Sequence, residues 1–164
     1  MRWLVLAGGL TGLEALAGCS HLVVLHDPLS AAEHNDLGVA YESAGESDLA
    51  RREYRRALRL EPGLAQAWIN LGNTDARVER WDEAARSYRR ALAIEPGRAD
   101  GLNNLAFALL HSRRPGALRE AERFARRAVA RGGTRDSIYR ATLGEVLSAR
   151  AGPACGGCPA AAPP

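Results

Sequence analysis

The chain has 164 residues, 46% of them apolar and 25% charged, which allows one domain with short tails and is close to the soluble average. All 22 basic residues are arginine, and a net charge of +3 is too small to indicate nucleic-acid binding by itself. Only 5% of the residues are aromatic, so the core must consist mainly of Leu, Ala and Val, which favours packed helices over a sheet.

The first element is a short apolar segment that is typical of a secretory signal. Arg2 precedes an apolar run from Trp3 to Leu13, and small residues then lead to Cys19. The run has about eleven residues, whereas a transmembrane helix needs about 20. A positive start, a short apolar region and a small-residue exit together predict a signal peptide, although Glu14 is costly inside such a segment.

The stretch "LAGC", which ends at Cys19, resembles the lipobox of bacterial lipoproteins. The resemblance implies cleavage before Cys19, acylation of this residue with palmitate-type chains, and a membrane anchor facing the periplasm. Ser20 in the next position implies the outer membrane. Residues 1–18 would then be the signal peptide and residues 19–30 a tether. The alternatives are a frayed amphipathic helix with a buried Cys19, or a misassigned start of the chain.

The middle of the chain repeats itself with a period of 34 residues, so that residues 34–62 align with residues 68–96. The matched positions are Leu37 with Leu71, Gly38 with Gly72, Ala50 with Ala84, Tyr54 with Tyr88, Ala57 with Ala91, and Pro62 with Pro96. A third copy with a longer turn follows, and a last helix repeats Leu-Gly at Leu143 and Gly144. Each proline closes a second helix, because proline cannot continue one.

This pattern resembles the tetratricopeptide repeat, and the tetratricopeptide tail of some bacterial lipoproteins that carry a cysteine-peptidase domain. No peptidase domain is recognised here. The resemblance implies an all-α solenoid of about three helix-turn-helix repeats and a C-terminal capping helix. The predicted segments are repeats at about 31–64, 65–98 and 99–136, a capping helix at 137–149, and a disordered Pro- and Ala-rich tail at 150–164.

The resemblance also implies that the first helix of each repeat lines a concave groove. By family position, the groove residues are Asn35, Val39, Gln66, Ile69, Asn70, Asn73, Arg77, Asn103, Asn104, Phe107 and His111. Amide side chains can pair with the backbone of a peptide, although several of these asparagines could instead cap or pack between helices. The clamp that some family members use for a C-terminal carboxylate is not matched, because Lys is absent and Val39 occupies an Asn position.

The sequence therefore predicts a scaffold that binds a peptide or protein and is not an enzyme. The alternative is a structural subunit of an envelope or secretion complex. The four histidines do not pair with cysteines or acidic residues at metal-ligand spacing, and no Gly-rich phosphate loop appears. We expect no cofactor, no metal, no nucleic acid and no small-molecule substrate.

Two further patterns leave alternatives open. Cys155 and Cys158 in the tail could form a local disulfide, remain free thiols, or serve as a redox or metal carrier. The second helices repeat arginine at matching positions, which predicts either a contact with anionic lipid or a solvated face balanced by carboxylates. The arginines are Arg52, Arg55, Arg56, Arg86, Arg89, Arg90, Arg123, Arg126 and Arg127, and the carboxylates are Glu53, Glu83, Glu120 and Glu122.

Overall fold

The computed structural model describes residues 27–152, and in this range the chain forms seven α-helices and no strand. The helices are α1 (Ala31–Ser43), α2 (Ser47–Leu60), α3 (Ala65–Arg77), α4 (Trp81–Ile94), α5 (Ala99–His111), α6 (Ala117–Arg131) and α7 (Asp136–Ala151). The predicted all-α class is confirmed. None of these helices is long and apolar enough to cross a bilayer. Cys19, Cys155 and Cys158 lie outside the described residues.

The helices form three antiparallel hairpins that stack side by side. Helices α1 and α2, α3 and α4, and α5 and α6 pack as pairs, and α7 closes the stack against α6 and α5. The backbones of the odd-numbered helices also approach one another from hairpin to hairpin, whereas the backbones of α2, α4 and α6 stay further apart. Because the odd helices approach more closely, they form the concave side of a solenoid and the even helices form its convex side.

Each of the first two hairpins is held by a glycine that faces a tyrosine ring. A Cβ atom on Gly38 would lie 2.5 Å from Cε1 of Tyr54, and one on Gly72 would lie 2.5 Å from Cε1 of Tyr88. Both rings are buried, with exposed fractions of 0% and 2%. The repeated Leu-Gly is therefore a steric requirement, because no other residue lets the two helices close on the ring.

The third hairpin replaces this pair by two alanines. Ala106 stands in the glycine position and Ala125 in the tyrosine position, and both are fully buried. The methyl group added on α5 is accommodated because the ring is missing on α6. The hairpin thus preserves the packing with different residues, which explains why the third copy is weak in sequence.

The apolar core consists of two clusters joined by one tryptophan. The first cluster lies between α1, α2 and α3 and includes Tyr54 and Leu71, and the second runs from α3 to α7. Trp68 packs against both clusters, and its Nε1 donates a hydrogen bond to the carbonyl of Pro62 at 2.9 Å. The ring of Trp68 therefore lies half-buried at the junction of the two clusters.

A buried polar cluster secures the start of the solenoid. His34 is 1% exposed, and its Nδ1 lies 2.8 Å from a carboxylate oxygen of Glu53 on α2. Its Nε2 lies 3.2 Å from Asp27, which precedes α1. Glu53 is itself only 5% exposed and also pairs with Arg56 at 2.6 Å. The burial of Glu53 corrects the expectation that this residue belongs to a solvated face.

The turn inside each hairpin needs one residue with a left-handed backbone. Gly45 has a φ of 82° and Gly116 a φ of 79°, and the matching residue of the second hairpin is Glu79 with a φ of 57°. A residue with a Cβ is strained in this conformation by roughly 1–2 kcal/mol. The first and third hairpins therefore have glycine at this turn, which is unstrained, whereas the second hairpin has a strained glutamate.

We expect Glu79→Gly to raise the free energy of unfolding by about 1 kcal/mol, because the substitution removes the strain at a positive φ. Urea unfolding followed by circular dichroism measures this change. Gly45→Ala is the matched reverse substitution and should lower the stability by a similar amount. A stabilising effect of Gly45→Ala would contradict the interpretation of the turn.

Candidate functional site

Every side-chain amide of the chain lies on the concave side. The five asparagines and the single glutamine all belong to α1, α3 and α5. They are Asn35, Gln66, Asn70, Asn73, Asn103 and Asn104. Amides can donate and accept at once, so a row of them can serve either the backbone of a bound chain or the contacts between the helices themselves. The hydrogen bonds show which amides serve each purpose.

The amides near the first hairpin join helices to each other. Asn70 donates to Oδ1 of Asn35 at 2.9 Å and accepts from Nε2 of Gln66 at 2.8 Å. Gln66 in turn accepts from Arg98 at 2.5 Å. Asn70 is only 8% exposed. These bonds tie α1 to α3 and α3 to the start of α5, so this part of the row is structural.

Asn73, one turn further along α3, also joins neighbouring helices through its side chain. Its Oδ1 accepts from the hydroxyl of Tyr88 at 2.9 Å and from Nδ2 of Asn104 at 3.0 Å. The hydroxyl of Tyr54 likewise donates to Glu42 at 2.8 Å. Burial raises the pKa of both tyrosines, and the hydrogen bond to Glu42 adds to the rise at Tyr54. Both hydroxyls therefore remain protonated donors at neutral pH.

A pocket of about 420 Å³ opens on the concave side between the second and third hairpins. Its lining residues are Glu42, Asn73, Ala76, Arg77, Trp81, Tyr88, Asn103, Asn104 and Phe107. Asn103 is 6% exposed, and its Oδ1 is buried with no hydrogen-bond partner among the described residues. A buried acceptor without a partner costs free energy, and a donor that reached this atom would recover that cost.

Three aromatic rings form one wall beside this pocket. The ring of Trp81 stacks on His111 with centroids 4.7 Å apart and meets Phe107 edge-on at 5.9 Å. Phe107 also lies 4.6 Å from His111 and is 37% exposed. Such a wall can receive an apolar side chain. Sequence reasoning missed Trp81, although its place directly after the turn, at the first position of α4, puts it at the edge of the groove.

The sequence-predicted groove residues divide into three groups in the structure. Val39, Gln66, Arg77, Phe107 and His111 are exposed, and Asn35, Asn73 and Asn104 are half-buried. Asn70 and Asn103 are buried. The prediction is wrong for Ile69, which is 3% exposed and belongs to the core. The reason is Gly101, which lets α5 approach so closely that a Cβ there would lie 3.2 Å from Cδ1 of Ile69.

No three His, Cys, Asp or Glu side chains gather within residues 27–152 in a way that could hold a metal ion. The site consists instead of amides, aromatic rings and the ion pair between Arg77 and Glu42 at 3.3 Å. Stacked helical hairpins with a concave binding surface define the class of α-solenoid repeat proteins.

Within this class, the first two hairpins match the tetratricopeptide repeat. Residues 31–74 and 65–98 match two tetratricopeptide repeat family models. None of the curated proteins matches the chain. Among solved structures, the chain is similar to the first TPR of Spaghetti (RPAP3) bound to HSP90 peptide SRMEEVD. The TM-score is 0.69 at 17% identity, covering 74% of this chain and 93% of that one, and this likeness concerns the fold.

Proposed function

We propose that this chain is a non-catalytic scaffold that binds an extended peptide segment of a partner protein in its concave groove. The observation that carries the proposal is the unpaired Oδ1 of Asn103 in the pocket beside the aromatic wall. A backbone N–H of the peptide would donate to this atom, and an apolar side chain of the peptide would lie against Phe107 and Trp81. The similar TPR structure holds a peptide, which supports this class of ligand.

The charges of the groove favour a neutral or basic segment. Helices α1, α3, α5 and α7 together carry seven carboxylates and three arginines. Arg77, the arginine in the pocket, is already paired with Glu42. The peptide in the similar structure contains two glutamates and an aspartate. An acidic segment of that kind would meet like charges here, so we propose a partner of a different composition.

Peptide selection tests the groove. A library of short peptides displayed on phage is selected on the full chain, and the enriched peptide is titrated against two groove variants. We expect Asn103→Ala and Phe107→Ala each to weaken binding about tenfold, because each removes one contact to the peptide. Because Oδ1 of Asn103 makes no hydrogen bond within the protein, Asn103→Ala breaks none there. The thermal unfolding temperature of this variant should therefore stay close to that of the wild type.

Leu60→Ala provides the control. Leu60 is 57% exposed on α2, on the convex side, and its truncation should leave peptide affinity unchanged. If the enriched peptides bind the groove variants as tightly as the wild type, the groove is not the binding site. An assembly role in which other helix surfaces pack into a larger complex would then be the better account.

We further propose that the scaffold is a lipoprotein, anchored through acylated Cys19 and facing the periplasm from the outer membrane. The support is the "LAGC" stretch after a short apolar run. Acyl chains attach a protein firmly because each buried methylene contributes about 0.8 kcal/mol. In a bacterial host, labelled palmitate should enter the wild-type chain and not Cys19→Ala. Equal labelling and processing of both chains would disprove the anchor.

A further inference from the structure

Charge is segregated between the two sides of the solenoid. The convex helices α2, α4 and α6 carry thirteen arginines and six carboxylates, whereas the concave helices carry an excess of carboxylates. A chain with a net charge of +3 therefore has one strongly basic side. The convex side creates a positive potential that the total charge does not reveal.

Most of the convex arginines have no acidic partner. Five of the thirteen form ion pairs, such as Arg86 with Glu83 at 2.9 Å and Arg126 with Glu122 at 2.8 Å. The other eight have no carboxylate within ion-pair distance among residues 27–152. They are Arg52, Arg55, Arg59, Arg90, Arg119, Arg123, Arg127 and Arg131. The four carboxylates expected to balance this face do pair with arginines, namely with Arg56, Arg86, Arg89 and Arg126. A balanced, solvated face therefore describes part of this surface, and the other eight arginines leave it with an excess of positive charge.

The convex arginines belong to all three hairpins. A depression of about 600 Å³ between α2 and α4 is lined by four arginines, by two carboxylates and by apolar side chains. The arginines are Arg55, Arg86, Arg89 and Arg90, the carboxylates Asp75 and Glu83, and the larger apolar side chains Trp68 and Leu71. The ion pair of Arg89 with Glu120, at 2.8 Å, connects α4 to α6. On α6, Arg119 and Arg123 border a further depression together with Glu120.

Exposed apolar residues also lie at matching places on two of the convex helices. Leu60 and Ile94 are the last residues of α2 and α4, are related by the 34-residue repeat, and are 57% and 41% exposed. A surface that mixes arginines with protruding apolar side chains fits the boundary between headgroups and acyl chains of a bilayer. Guanidinium groups bind phosphate oxygens in a bidentate manner. A purely polar polyanion would leave Leu60 and Ile94 without a partner.

We propose that the convex face of α2, α4 and α6, which we call the arginine face, docks on the phosphate headgroups of an anionic lipid bilayer. Arg55, Arg90 and Arg123 would contact phosphates, and the groove on the opposite side would point away from the membrane toward its partner. The proposal depends on these charges and not on acylation. The twelve residues from Cys19 to Ser30 span at most about 40 Å, so an anchored chain would be kept within reach of the surface.

Vesicle binding tests the arginine face. The full chain carrying Cys19→Ala, which excludes any acyl chain, is sedimented with vesicles of phosphatidylcholine alone or mixed with phosphatidylglycerol. We expect binding to the mixed vesicles that weakens as salt is raised. Replacing Arg55, Arg90 and Arg123 by Gln should lower the partition coefficient roughly a hundredfold, because each basic residue near an anionic surface contributes to attraction. Replacing the same three residues by Lys should restore most of the binding.

A matched control removes three arginines elsewhere. Arg80, Arg113 and Arg135 are exposed, lie in turns outside α2, α4 and α6, and form no ion pair among the described residues. Their replacement by Gln changes the net charge equally and should lower the partition coefficient only a few-fold. Circular dichroism confirms that each variant is folded. The salt dependence of vesicle binding by the chain with all its arginines in place tests the proposal without any substitution in the arginine face.

Four results would overturn the proposal. The first is an equal loss of binding for the two sets of glutamine substitutions, and the second is that the lysine substitutions do not restore binding. The third is binding to phosphatidylcholine vesicles that is as tight as binding to the mixed vesicles. The fourth is wild-type binding that does not change with salt concentration. Tighter binding of duplex DNA than of mixed vesicles at the same salt concentration would also overturn it, by assigning the face to a polyanion. Leu60→Ser with Ile94→Ser should weaken vesicle binding without weakening any residual binding to DNA.

Discussion

Gly72→Ala is expected to lower the free energy of unfolding by about 1–3 kcal/mol, even though alanine is the better helix former. The added Cβ would lie 2.5 Å from Cε1 of Tyr88 and within 2.9 Å of two more ring atoms. The ring cannot yield easily, because it is 2% exposed and its hydroxyl is bonded to Asn73. Urea unfolding monitored by circular dichroism measures the loss.

Gly144→Ala is the matched control, because Leu143-Gly144 repeats the same motif in the last helix. No atom lies within 4 Å of a Cβ added there, since no second helix follows α7 within the described residues. The substitution should raise the stability by about 0.5–1 kcal/mol through helix propensity alone. An equal loss of stability for Gly144→Ala and Gly72→Ala would show that the effect of the substitution does not come from a steric clash with the tyrosine ring.

A double-mutant cycle isolates the contact itself. In a Tyr88→Ala background, Gly72→Ala should cost little or nothing, because the ring that it would strike is gone. The third hairpin already contains this combination in Ala106 and Ala125. If the cost of Gly72→Ala is the same in both backgrounds, the clash with Tyr88 is not its cause.

Val146→Asp in the closing helix is expected to lower the stability by about 3 kcal/mol or more, because it buries a carboxylate without a partner. Val146 is fully buried on the face of α7 that covers α5 and α6. A solenoid must end in a helix that is apolar on one side and polar on the other. The unfolding midpoint in urea reports the loss directly.

Leu147→Asp changes the neighbouring residue, which is 39% exposed. This substitution should alter the stability by no more than about 0.5 kcal/mol, as is usual for surface positions. The pair tests whether α7 is a structural cap or a loosely attached helix. Similar unfolding midpoints for the two variants would indicate that the end of the solenoid does not depend on α7.

The helical architecture could be predicted from the sequence because the constraint is local and repeated. Leu-Gly, the aromatic residue, the alanines and the proline each fix one contact of a hairpin, and a second copy 34 residues later confirms the pattern. The wrong assignment of Ile69 shows the limit of position alone. Its burial depends on Gly101 in the next hairpin, and neither residue is unusual within its own helix.

The polar contacts could not be predicted, because they join residues that the repeat does not relate. Asp75 of α3 is 2% exposed, and its Oδ1 lies 2.9 Å from Nε of Arg51 on α2. Burial raises the pKa of Asp75, and Arg51 opposes this rise. The amides were predicted as one group, yet Asn70 joins helices whereas Asn103 keeps a free acceptor. Only the packing distinguishes them.

The division of the core at Trp68 has a consequence for how the molecule opens. The first hairpin shares a small apolar cluster with α3, whereas α4 to α7 share the larger one. Sub-global fluctuations should therefore release α1 and α2 as one cooperative unit while the remaining helices stay closed. Amide protons of the first hairpin should exchange with solvent sooner than those of α4 and α5. A mechanical force applied at the amino terminus would therefore unfold α1 and α2 first.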